Sequence, residues 1–134
     1  MILRAAILAL AFVGSAALAQ ARVPLPEDRA VEDGLTLVAI GNELRKNCEA
    51  VSPRYLKTYN FVRGLHSRAK SLGYSEAEIE AYLDSDPDKA RVDARARAYL
   101  TARGVDYDNP ETFCTVARAE IERGTSVGSF LRVN

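Results

Sequence analysis

The chain has 134 residues and carries 18 Lys and Arg against 18 Asp and Glu. These charges are interleaved rather than gathered, which excludes the basic face of a nucleic-acid binder and the polybasic segment of a protein held to anionic lipid. The two cysteines are too few for a cysteine-ligated zinc site or an iron–sulfur cluster.

The first residues read MILRAAILALAFVGSAALAQ. Arg4 precedes an apolar run from Ala5 to Val13, then small residues follow, with Ala17 and Ala19 placed for cleavage before Gln20. That is the three-part order of a secretory signal peptide over residues 1–19; cleavage before Arg22 is the less favoured frame. An uncleaved anchor is the alternative, but the run of roughly fifteen residues is short of the about 20 a span needs. No later run is apolar enough to cross a membrane, and no Cys marks a lipid-anchoring site. Cleavage leaves a soluble periplasmic or secreted domain of about 115 residues, enough for one small core. In an oxidising compartment Cys48 and Cys114 are expected to pair, a free reactive pair being the other possibility. The bridge closes a loop of about 67 residues and contributes ~4 kcal/mol by chain entropy.

The arm at 20–30 contains Pro24 and Pro26 and is predicted to be extended. A single helical domain follows over 31–134. Leu37, Ile40, Leu44 and Cys48 form one stripe of a helix over 31–47, with Gly41 as a packing contact. Ser52-Pro53 reads as an N-cap and first helical residue, opening a second helix that stops at Gly73. Its stripe of Tyr55, Tyr59, Val62, His66 and Ala69, with Phe61, Leu65 and Leu72 extending the apolar face, makes it the most aromatic segment and the predicted centre of the core. Ser75 and Glu78 match a capping box for a short third helix. A fourth spans 87–103, facing inward through Ala90, Ala94, Tyr99 and Leu100. A fifth starts at Pro110 and buries Phe113, Cys114, Ala117 and Ile121. A last turn over 126–131 lays Val127, Phe130 and Leu131 on the bundle. No stretch shows β-alternation, so the class is all-α: a small bundle of about five helices plus a C-terminal turn, clasped by one disulfide.

Asp84, Asp86 and Asp88 alternate like the opening of a calcium loop. Counting from Asp84, however, Lys89 stands where such a loop needs its turn glycine, and Arg95 where it needs a bidentate glutamate. The structural reading makes Asp86 the N-cap, Pro87 the first helical residue and Asp88 a partner of the helix dipole. Asp106, Asp108 and Asn109 before Pro110 read the same way. His66 is the only histidine, on the stripe with Tyr59 and Val62, where a hydrogen-bonded, half-buried role suits it. Asn60 and Arg63 either bond across the core or contact a ligand. No catalytic, cofactor or metal constellation emerges from these residues.

The segments AIGNELRKNC (39–48), YNFVRGL (59–65), LGYSEAEIEAYLDSD (72–86), AYLTARGV (98–105) and FCTVARAEIERGTSVGSFLR (113–132) resemble a small exported, all-helical domain family of unknown function from Gram-negative bacteria. The resemblance covers most of the mature chain and both cysteines, and implies no activity. Through gene neighbourhood it implies a link to a respiratory membrane complex, complex I. The expected function is a non-catalytic binding or accessory module for an unknown envelope protein. The alternatives are an acid-stress chaperone of the periplasm, and a small-ligand binder or enzyme centred on His66 with Asn60 and Arg63.

Overall fold

Helix α1 (Arg29–Asn47) begins where Asp28, in extended backbone, accepts the Val31 amide on Oδ1 at 3.0 Å. The computed structural model describes residues 21–134, so the leader predicted at 1–19 and its cleavage lie outside the described residues. The arm departs from the extended expectation. Leu25–Glu27 form a short 3-10 turn that buries Leu25 against Val31, Ala69 and Ile79. Asp28 then caps α1 two residues earlier than the apolar stripe alone predicts.

Past α1 the chain also differs from expectation. Ser52 and Pro53 do not open a helix. Val51–Pro53 is a short strand, β1, paired antiparallel with the C-terminal strand β2 (Leu131–Val133) in the register Val51↔Val133 and Pro53↔Leu131. Flanking bonds run from the Arg54 amide to the Phe130 carbonyl (2.7 Å) and from the Asn134 amide to the Ala50 carbonyl (2.9 Å). A partner 80 residues downstream thus outcompetes a local capping signal. Helix α2 (Tyr55–Ser71) starts after Arg54 with no side-chain cap. Helix α3 (Glu76–Asp84) does open with the reciprocal Ser75–Glu78 box. Helix α4 covers Asp86–Ala102 and α5 covers Glu111–Arg123, followed by a 3-10 turn at Gly128–Phe130. The fold among the described residues is five helices with one two-stranded ribbon.

The core lies between α1, α4 and α5. Leu44, Leu100 and Ala117 are fully buried there, with Phe113, Val116, Val127 and Leu131 around them. The Cys48–Cys114 disulfide joins the end of α1 to α5 in the same cluster. Helix α2 is not the centre: Ala69 is its one fully buried residue. On α4, Ala96 and Leu100 face inward while Ala90 and Ala94 are exposed. Nor is Gly41 a packing contact, since a Cβ there would meet nothing within 4 Å. Gly34 holds that role, because a Cβ would overlap the Leu65 side chain of α2. At Gly128 a Cβ would overlap the Glu120 backbone, so no side chain fits where the last turn crosses α5.

Candidate functional site

Because α2 begins at Tyr55 and meets α1 through Leu65, its inward residues are Thr58, Phe61, Leu65 and Ala69. Of the predicted stripe only Ala69 is buried, with His66 half-buried; its other members lie on the neighbouring side of the helix, turned to solvent. Tyr55 is 70% exposed, Leu56 74%, Tyr59 60% and Val62 43%. Arg63 stands over the Tyr59 ring at 5.7 Å, and both Arg63 and Asn60 are exposed rather than bonded across the core. His66 continues this face, half-exposed, with Nε2 2.6 Å from Glu76 Oε2; Lys70 holds the other oxygen of that carboxylate at 2.8 Å. The outer face of α2 is thus an apolar, tyrosine-bearing surface bordered by Arg63 and His66. Large exposed apolar groups grouped on one helix face are a common mark of an interaction surface.

The aspartate corner is a helix junction shifted by one residue from the expected frame. Ser85 caps α4, accepting the Asp88 amide on Oγ at 3.4 Å, so Asp86 is the first helical residue and Pro87 the second. A serine in extended backbone does what Asp86 was expected to do. Asp88 accepts from Arg91 Nη1 at 2.6 Å, Asp86 faces solvent near Lys89, and Asp84 ends α3. At the second cluster Asp106 accepts the Asp108 amide, and Asn109 accepts the Glu111 amide ahead of α5.

Three buried carboxylates escaped the sequence reading. Asp28 is held by Arg68 at 2.7 Å; Glu32 by Arg91 at 2.7 Å and by the Tyr82 hydroxyl at 2.7 Å. Glu120, with no exposed surface, accepts from the Tyr99 hydroxyl at 2.9 Å, from Arg103 at 3.3 Å and from the Thr125 hydroxyl. A signal was present: Glu32, Thr36, Ile40 and Leu44 recur every four residues, and Glu120 lies seven after Phe113. Both acids sit on core stripes, where an acid is buried only with partners.

The hydrogen bond from Arg68, with the Val31 amide, holds the Asp28 carboxyl below its ordinary value against its burial. Burial opposes ionisation of Glu32, yet the Arg91 and Tyr82 hydrogen bonds outweigh it and leave that carboxyl lowered too. Glu78, bonded by Arg22 and the Ser75 amide, is pulled down to about 2. Each group binds a proton less readily folded than unfolded, so the unfolded chain takes up more protons in acid. Stability therefore holds above the ordinary value of 4.5 and falls as pH drops from there toward about 2. The urea midpoint is expected to be flat from neutrality to about pH 5 and to fall steeply below it; Asp28→Asn makes the acid slope shallower. A midpoint unchanged down to about pH 3 contradicts this linkage.

Among the described residues, no helix is long and apolar enough to cross a membrane. A family model described as a family of unknown function (DUF5333) matches residues 23–132. No curated protein and no solved structure matches the chain.

Proposed function

The chain belongs to this family of unknown function, and from that premise we propose that it is a non-catalytic binding or accessory module that docks on another exported protein through the outer face of α2. The observation carrying this reading is the exposure of Tyr55, Leu56, Tyr59 and Val62 on one helix whose adjacent side already packs the bundle. Tyrosine is enriched at protein interfaces because one ring supplies apolar area and a hydrogen bond at low entropic cost. Leaving these groups in water serves no folding purpose. The place of action is the periplasm, after cleavage behind Ala19. The leader grammar of residues 1–19 and the Cys48–Cys114 bridge support that, since such bridges persist in oxidising compartments.

A photo-cross-linking residue at Asn60 in the exported protein is expected to trap a discrete envelope protein. Adding Leu56→Ser and Tyr59→Ser should abolish the adduct while changing stability by no more than about 0.5 kcal/mol, as for surface positions. A missing adduct, or one indifferent to those substitutions, overturns the reading.

A second reading, an acid-activated chaperone, is favoured by the lowered carboxyls of Asp28 and Glu32, whose protonation would loosen α1 from α2 and α4. Failure to suppress client aggregation at about pH 2–3 removes it.

A further inference from the structure

Helices α1, α3, α4 and α5 each carry at least three acids, and each has one in its first turn, beside the positive end of the helix dipole. Helix α2 breaks this pattern. It has no Asp or Glu between Tyr55 and Ser71. Arg54 stands at its N-terminus without capping it, and Lys57, Arg63, Arg68 and Lys70 follow. Charges that interleave along the chain as a whole are of one sign on the helix that carries the exposed apolar face.

Counter-charge from other elements reaches only the later half of α2. Asp28 holds Arg68 at 2.7 Å and Glu76 holds Lys70 at 2.8 Å. Among the described residues, Arg54, Lys57 and Arg63 have no carboxylate within ion-pair distance: Arg54 Nε donates to the Leu131 carbonyl at 3.2 Å, Lys57 Nζ donates to the Ser129 carbonyl at 3.0 Å, and Arg63 rests over the Tyr59 ring. Arg63 also lies seven residues after Leu56, two turns along the same stripe. Three unanswered positive charges thus border Leu56 and Tyr59.

That border selects the partner. Covering Tyr55, Leu56, Tyr59 and Val62 takes these cations out of water, which is unfavourable unless the opposing surface supplies carboxylates. A second copy docked on the same face across a two-fold axis would bring like charges together around the same apolar groups. A lipid surface is poorly matched. Leu56 and Val62 are the only aliphatic groups of the face, and the exposed Asn60 and Ser67 interrupt it.

We propose that the outer face of α2 is built for an acidic partner, an exported protein presenting apolar side chains ringed by Asp and Glu. This rests on the docking role proposed for α2 and names the charge that its partner carries.

Two synthetic helical peptides test this, each with a leucine face, bordered by glutamates in the first and by lysines in the second. Titrated with the mature, oxidised protein, the glutamate peptide should bind saturably and at least about tenfold more tightly than the lysine peptide. Raising salt from about 50 to about 500 mM should weaken it about tenfold. Lys57→Glu combined with Arg63→Glu should reverse the preference, mainly through the association rate, with helicity and disulfide retained. Leu56→Ser with Tyr59→Ser should remove binding. Equal affinity for the two peptides, no saturable binding of the glutamate peptide, or a preference that survives the charge reversal overturns the proposal. So does tighter binding to phosphatidylglycerol vesicles than to the glutamate peptide, or a dimer in sedimentation that Leu56→Ser dissociates. The Asn60 cross-link requires no acidic partner, so the docking role itself is judged separately.

Discussion

Glu120→Ala is expected to destabilise the protein by about 3–4 kcal/mol, read as a fall in the urea midpoint with the slope unchanged. The loss comes from several partners at once. Tyr99 reaches the carboxylate from α4, Thr125 reaches it from the chain after α5, and Thr125 Oγ1 in turn accepts the Gly128 amide at 3.1 Å. Truncation strands the Tyr99 hydroxyl, leaves the Thr125 hydroxyl only its long 3.4 Å bond to the carbonyl of residue 120, and opens a cavity against a turn that tolerates no side chain at Gly128. Arg103 and Arg123 contribute less, being 37% and 54% exposed and free to rehydrate once the acid is gone. Glu120→Gln keeps the volume and one acceptor but turns an amide donor toward donors, so about half the loss is expected. A change below about 1 kcal/mol for Glu120→Ala would show that the carboxylate does not hold α4, α5 and the C-terminal turn together.

Removing the disulfide is the second large effect. Cys48→Ala combined with Cys114→Ala should lower stability by ~4 kcal/mol, the chain-entropy value for a bridge spanning 66 positions. Small domains stand at about 5–15 kcal/mol in total, so the reduced protein would be marginal at body temperature. The effect acts mainly on the unfolded chain. Helicity in mild conditions is therefore expected to survive while the urea midpoint falls, and reductant should reproduce the double variant. A reduced protein within about 1 kcal/mol of the oxidised one would mean that the α1–α5 contact is self-sufficient.

Local chemistry was legible wherever the chain signals to its own neighbours. The Ser75–Glu78 box, the helix stop at Gly73, the pairing of the only two cysteines and the all-helical class follow from residues a few positions apart or from composition. The candidate surface was half legible. Periodicity placed Tyr55, Tyr59, Val62 and His66 together on α2, because a 3.6-residue repeat fixes which side chains share a face. It did not say which face meets the bundle. That was settled by Gly34 of α1 admitting Leu65, which turns the neighbouring stripe to solvent. Ser52-Pro53 likewise read as a helix start until Leu131–Val133 returned to pair with it. The buried roles of Glu32 and Glu120 depend on arginines and tyrosines brought from other helices. By itself the sequence determined element types, caps and the covalent clasp, whose causes lie within a few residues. The tertiary structure alone decided which faces are buried and which acids are paired. Those outcomes depend on the competition among distant segments for the same surface.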